Sequence, residues 1–339
     1  MTPPNFVISV RSVERRKGRE PAFGNDPGPT RYLLVPDGET PHPERHRLAA
    51  SEWLKLVVEE AEVGLRPVEP DSPVAGYAFG DVLIFVHGYN NSQDAVMHRH
   101  NLLQKRLGEH GYKGAIVSFD WPSATSTLNY LEDRSDARAT AERLVHDGIA
   151  VLARNQLAQD RNRCDIDVHL LGHSTGAYVI RESFYIAEQN RSISRVNWMV
   201  SQVAFIGGDI ARSSLAASDS KSGSLFRHAL RITNYQNAHD SALQMSNAKR
   251  VGIAPRVGRV GVPEGAPGSV VNVDCSAHWR TLDEQASAAE GNWSHSWHFD
   301  DPVFAEDLFL TILGHDDRNV LPTRTLDGGR LALRVPDRP

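Results

Sequence analysis

The chain reads as an α/β protein: one largely parallel sheet of about eight strands with helices packed on its faces. Three observations carry that expectation. Short β-branched runs alternate with longer amphipathic segments along most of the length. A chain of 339 residues with 40% hydrophobic residues can bury one large core. And the apolar run at 168–171 passes through Gly172-His173-Ser174-Thr175-Gly176 into an amphipathic stretch, a strand, a sharp turn and a helix in succession.

The spacing predicts strands at 6–10, 31–35, 82–86, 115–119, 168–171, 203–206, 230–233 and 270–273. Helices are expected at 44–62, with Trp53, Leu54, Leu56 and Val57 as the apolar side, and at 93–109, with Asn91 or Ser92 as cap and Gly111 as stop. Further helices are expected at 134–154, at 176–189 and at 302–313, the last with proline in its first turn after Asp300 or Asp301. Segments 22–30, 211–224 and 251–268 read as loops, and the serine-rich 211–224 is either a lid or an ordinary surface connection. Eight strands in one series favour a single domain over 1–339, with N-terminal strands and a helix in 1–80, a core in 81–315 and a tail in 316–339.

Several function classes are disfavoured. Net charge is −5 and the basic residues are dispersed, whereas a nucleic-acid partner needs a concentrated positive face. The run "RRKGRE" at Arg15 to Glu20 reads as a solvated loop. Two cysteines, Cys164 and Cys275, make no disulfide framework or Cys-x-x-Cys pair, so a reducing, cytoplasmic setting is expected. The N-terminal apolar run lacks the flanks of a signal peptide, and no run reaches the ~18 apolar residues of a membrane helix. His98 and His100, two apart on a helix, point to different faces; no metal or nucleotide motif occurs, and no cofactor is expected.

Chemistry concentrates around "LLGHSTGAYV" at 170–179. Gly-x-Ser-x-Gly arises by chance often enough that context must support it, and the strand-to-helix turn is the required context. Both flanking positions must be small where strand and helix meet, and the helix N-terminus points its dipole at a developing oxyanion. Ser174 is therefore a candidate nucleophile. Upstream, "LIFVHGYNNS" ends a strand in His87-Gly88. An oxyanion needs two preorganised N–H donors; Thr175 would supply one and Tyr89, or Asn90, the other. His87 itself reads as a hydrogen-bonded loop histidine.

A serine nucleophile needs a base and the base an orienting carboxylate, here expected acid first and histidine last. Asp240 follows the seventh strand and reaches a histidine most directly, with Asp209 after the sixth and Asp274 at the end of the eighth as alternatives. For the base, His295 stands in the loop before the last helix; His278, His298 and His315 are the others, His298 in what looks like an aromatic packing position. Trp121, at a strand's carboxyl end, lines a pocket or packs.

The segments "FVHGYNNS", "FDWPS", "LGHSTGAYV", "HDSAL" and "HSWHFDDP" occur in an order and spacing that resembles a family of bacterial α/β hydrolases, distant kin of esterases and lipases. The resemblance spans nearly all the chain. It implies the α/β-hydrolase fold, with Ser174 as nucleophile, Asp240 as acid and His295 as base. Two departures are a competing acid at Gly208-Asp209 and a histidine at 298 where such sequences more often carry an aromatic residue. The implied activity is hydrolysis of a small-molecule carboxylic ester. Thioesterase, amidase or acyltransferase chemistry would use the same residues, and a hydrolase-like scaffold that binds without turnover is the reading from another class.

Overall fold

The computed structural model describes residues 4–64, 66–67, 78–89, 91–123, 140–149, 165–190, 198–248, 254–314 and 317–336. Its strands are β1 (Asn5–Glu14), β2 (Ala22–Val35), β3 (Arg47–Leu48), β4 (Arg66–Pro67), β5 (Ala78–Val86), β6 (Ala115–Asp120), β7 (Asp165–His173), β8 (Val200–Ile206), β9 (Ala229–Gln236), β10 (Val270–Asp274), β11 (Arg324–Asp327) and β12 (Arg330–Leu333). They form one sheet in the order β11-β12-β10-β9-β8-β7-β5-β6-β1-β2-β3, with β4 paired to β5. The run from β1 through β6, β5, β7, β8, β9 and β10 to β12 is parallel throughout; the antiparallel pairs are β1–β2, β2–β3 and β11–β12 at the two margins and the short β4 on the start of β5. This is the α/β-hydrolase fold expected from the sequence.

All eight expected strands are present, and four more bring the sheet to twelve. The additional ones are two to four residues long, too short to show a period. The expected tail carries two of them: Gly328 and Gly329 both take positive φ, the turn a two-residue hairpin requires, and β12 then docks beside β10. Segment 22–30, expected as a loop, belongs to β2. It pairs with an irregular β1, whose register shifts around Arg11, and a Cβ at Gly28 would meet Ser12 N and Arg11 O at 2.5 Å. Only glycine lets the two backbones approach there.

Helix α1 (Ala50–Val63) starts six residues later than expected, because Arg47 and Leu48 are drawn into pairing with Tyr32 and Leu33. Helix α2 (Gln93–Glu109) begins where expected, Ser92 Oγ accepting the Ala95 amide. Helix α3 (Gly176–Gln189) follows β7 directly. In α4 (Pro302–Leu313) Asp301 caps the Phe304 amide and left-handed Gly314 closes the other end. Of the helix expected at 134–154 only 140–149 falls among the described residues, where Leu144–Ile149 forms a π-helical turn. The serine-rich segment is not free: Arg181 of α3 donates to Ser222 Oγ and Asp219 Oδ1, both at 2.7 Å.

The central strands alternate between two cores, as a two-residue period dictates. Val82, Ile84 and Val86 of β5 join Trp53 and Val57 of α1 and Ile180 and Phe184 of α3 on one face. Leu83 and Phe85 join Leu103 and Leu107 of α2 and Phe304 and Leu308 of α4 on the other. Both faces covered is the condition for a parallel sheet, and it leaves the carboxyl ends of β5, β7, β8 and β9 as the place for chemistry. Among the described residues no helix is long and apolar enough to cross a membrane.

Burial also sets a pH dependence. His100 is fully buried, its Nδ1 2.8 Å from Ser118 Oγ, and desolvation pushes its pKa down to about 3. The unfolded chain takes up this proton near pH 6.5 and the folded chain does not, so stability falls as pH drops below 6.5. His100 alone accounts for about 1.4 kcal/mol per pH unit; His87, His173 and His298 are shifted the same way by burial. Urea unfolding at pH 6.5 and pH 5 is expected to differ by at least about 2 kcal/mol; equal free energies would contradict neutral burial.

Candidate active site

Ser174 stands between β7 and α3 with φ 55°, and it is the one non-glycine residue with positive φ among the described residues. Such a conformation costs on the order of 1 kcal/mol or more and persists only where surroundings impose it. Glycines make the room. A Cβ at Gly176 would collide with Val86 O, one at Gly172 would lie 2.8 Å from Ile180 Cδ1, and one at Gly88 would lie 2.7 Å from Ser174 Cβ. The turn is tied to β8 on both sides: Ser174 N donates to Ile206 O at 3.0 Å, and Asp209 N donates to Ser174 O at 2.9 Å. Thr175, next along, is the N-cap of α3, so its amide belongs to the first turn, where helices leave donors unpaired.

The loop after β5 brings Gly88 against Ser174, and buried groups brace it. Trp121 N donates to His87 Nε2 at 3.1 Å and Trp121 Nε1 donates to His87 O at 2.9 Å, the rings stacked at 5.5 Å. With Nε2 accepting, the His87 proton sits on Nδ1 and reaches Gly88 O at 2.8 Å. Burial lowers the pKa of His87, so it is a neutral brace, and Trp121 packs on it. Asp120 accepts from Arg11 Nε at 2.6 Å, Ser9 Oγ at 2.9 Å and Gln93 Nε2 at 3.2 Å. Burial opposes its ionisation, but the Arg11 guanidinium outweighs burial and holds the carboxyl at about 2. Asn91 Nδ2 donates to Gly88 O at 2.8 Å and Tyr89 O at 3.1 Å, and its own amide is taken by Ser123 Oγ. "FDWPS" is thus a buttress for "FVHGYNNS". Asn90 lies outside the described residues.

Asp240 and His295 meet at 2.6 Å, Oδ2 to Nδ1, both buried. Asp240 follows β9 and begins the helix Ser241–Ala248, where its Oδ1 accepts the Leu243 amide at 2.9 Å. One carboxylate oxygen caps a helix while the other orients an imidazole. The Nδ1 proton is thereby fixed and Nε2 is left with its lone pair. Gly207 (φ +52°) is the wall between β8 and this pair: a Cβ there would lie 2.9 Å from His295 Nδ1 and 3.3 Å from Asp240 Oδ2. On the nucleophile side, His173 Nε2 donates to His295 O at 3.0 Å with ring centroids 4.6 Å apart. Ser174, His295 and Asp240 therefore gather at the carboxyl ends of β7, β8 and β9.

The other candidates are engaged elsewhere. Asp209 pairs with Arg256 at 2.9 Å, and Asp274 accepts from Gln236 Nε2 and Ser276 N. His278 Nε2 lies 3.0 Å from Asp301, the cap of α4. His298 is stacked on Trp297 at 4.0 Å and lies edge-on to Phe304, a packing histidine kept neutral by burial. His315 and Cys164 fall outside the described residues.

Sequence reasoning missed the residues that join the two loops of the pair. Asn237 Nδ2 donates to Ser294 O at 3.0 Å, and Ser241 N donates to Ser294 Oγ at 2.9 Å. "NYQNAHD" and "NWSHSWH" are both rich in such groups, but nothing local says that they face one another. A cavity of about 620 Å³ is walled by His239, Trp279, Trp293 and Ser294, residues of the same two loops and of the segment after β10. Among the described residues no group of three metal-ligating side chains comes together.

No curated protein matches the chain. Two solved structures are similar to the chain at low identity. A Lactobacillus rhamnosis esterase B inhibited by a C4-C4 tributyrin phosphonate is 14% identical, with 78% of this chain and 93% of that chain covered and a TM-score of 0.39. A hydrolase structure from Agrobacterium vitis S4 is 12% identical, with 74% and 90% covered and a TM-score of 0.32. The described architecture and a family match over residues 75–276 agree: the chain belongs to the alpha/beta hydrolase family of unknown function (DUF900).

Proposed function

We propose that this hydrolase cleaves carboxylic esters through a Ser174-His295-Asp240 triad and an acyl-enzyme. The observation that carries the reading is the buried 2.6 Å Asp240–His295 pair set at the same sheet edge as the strained Ser174 turn. A neutral imidazole with Nδ1 held by a carboxylate is a base at Nε2. Ser174 Oγ attacks the ester carbonyl carbon as its proton passes to His295 Nε2. The carbonyl π electrons move onto oxygen, and the amides of Tyr89 and Thr175, with the α3 dipole behind them, stabilise the oxyanion. Collapse breaks the C–O bond to the alcohol, which leaves with the proton from His295. Water then attacks the acyl group, gives its proton to His295 and releases the carboxylic acid, and the proton returns to Ser174. Asp240 stays ionised and stabilises the imidazolium in both halves.

Esters are favoured over amides because the alcohol is the better leaving group and the reading invokes no further acid. A fluorophosphonate probe is expected to form one adduct, on the peptide carrying Ser174. Short p-nitrophenyl esters are expected to give an initial burst of nitrophenol matching the number of adducts. Absence of the adduct, with no ester turnover, would leave a hydrolase-like binding scaffold as the reading.

A further inference from the structure

The oxyanion loop and the base arrive from opposite ends of the chain, and their relative placement has to be held within a fraction of an ångström for turnover. Arg99 lies between them. It projects from α2 and is buried with 8% exposure. One guanidinium nitrogen, NH1, donates to Asn91 Oδ1, and Asn91 in turn holds the Gly88 and Tyr89 carbonyls. The other, NH2, reaches Ser296 Oγ, next to His295, at 3.5 Å. The plane is backed by Phe299 at 5.1 Å, and Phe299 packs edge-on against His173, which holds the His295 carbonyl. Its neighbours are an amide oxygen, a hydroxyl and an aromatic face. Burying a cation against such partners carries a desolvation cost, visible as a pKa drawn down by burial to about 10 and opposed by Glu290. An apolar side chain would fill the same volume without that cost.

We propose that Arg99 is a positioning residue that clamps the oxyanion loop, through Asn91, to the loop carrying the base, through Ser296 and Phe299. It spans both because its planar fork presents separate donors in fixed directions, which a lysine ammonium does not. This inference rests on the roles of Ser174 and His295 proposed above.

The test is kcat per active site, with sites counted by fluorophosphonate titration so that misfolded protein is excluded. Arg99→Met is expected to lower kcat per titrated site by about 100-fold with KM changed less than about threefold, because alignment and not substrate binding is lost. Arg99→Lys is expected to recover part of it. Ser296→Ala, which removes a single hydroxyl, is expected to lower kcat by itself and to add little in the Arg99→Met background, since both cut the same clamp. It carries the test alone if Arg99→Met fails to fold. A kcat per site within about twofold of the parent in Arg99→Met, or in Ser296→Ala where that variant stands alone, would overturn the proposal. If the parent protein shows no adduct on Ser174, the underlying triad reading fails. If the adduct forms and the variants turn over normally, only the clamp fails.

Discussion

Ser174→Ala is expected to lower kcat for a short p-nitrophenyl ester by on the order of 10⁵-fold and to abolish fluorophosphonate labelling, with unfolding unchanged within about 1 kcal/mol. The size follows from the chemistry. In the proposed mechanism, loss of Oγ removes the acyl-enzyme and leaves His295 and Asp240 no nucleophile to activate. What remains is water attacking a carbonyl polarised by the oxyanion amides. Stability is spared because Ser174 is held by its backbone, to Ile206 and Asp209, and alanine can make the same bonds at the same positive φ. Retention of more than a few per cent of the activity would remove Ser174 from the mechanism.

The second large effect concerns the acid. Asp240→Asn is expected to reduce kcat about 10⁴-fold, for a reason specific to its surroundings. The Leu243 amide needs an acceptor where Oδ1 now stands, so the new side chain would keep its oxygen there and turn its NH2 toward His295 Nδ1. The imidazole would have to accept at Nδ1 and carry its proton on Nε2, where a base is required. Asp209→Asn should leave turnover within about tenfold and cost stability instead, because it strands Arg256 in a buried pair. The comparison is made on kcat and urea midpoint together. Loss of turnover in Asp209→Asn alone would make Asp209 the acid.

Much of the fold was legible because its determinants are local. The apolar runs of β5, β6 and β7 stand out without reference to partners; Ser92, Asp301 and Gly314 punctuate their helices through hydrogen bonds within a turn, and Pro302 through its fixed φ. The misreadings are where a partner overrode local preference. The Pro- and Gly-rich 22–30 became strand because β1 runs beside it, and 44–49 lost its helix to pairing with Tyr32 and Leu33. His87 and His298 illustrate the same division. Histidine in a sequence is an ambiguous sign, and only enclosure by Trp121 in one case and by Trp297 and Phe304 in the other makes each a neutral packing group.

The sequence by itself determined the strand–turn–helix around Ser174 and the need for glycine at 172 and 176, because those depend on a few bonded neighbours and on periodicity. Tertiary structure alone decided which carboxylate meets which imidazole. Asp240 and His295 are 55 residues apart, and Asp209 is instead paired with Arg256. The same holds for Arg99 and Ser296, 197 residues apart. Such pairings are set by the order in which parallel strands stack and by where their loops emerge, a long-range choice that no local spacing encodes.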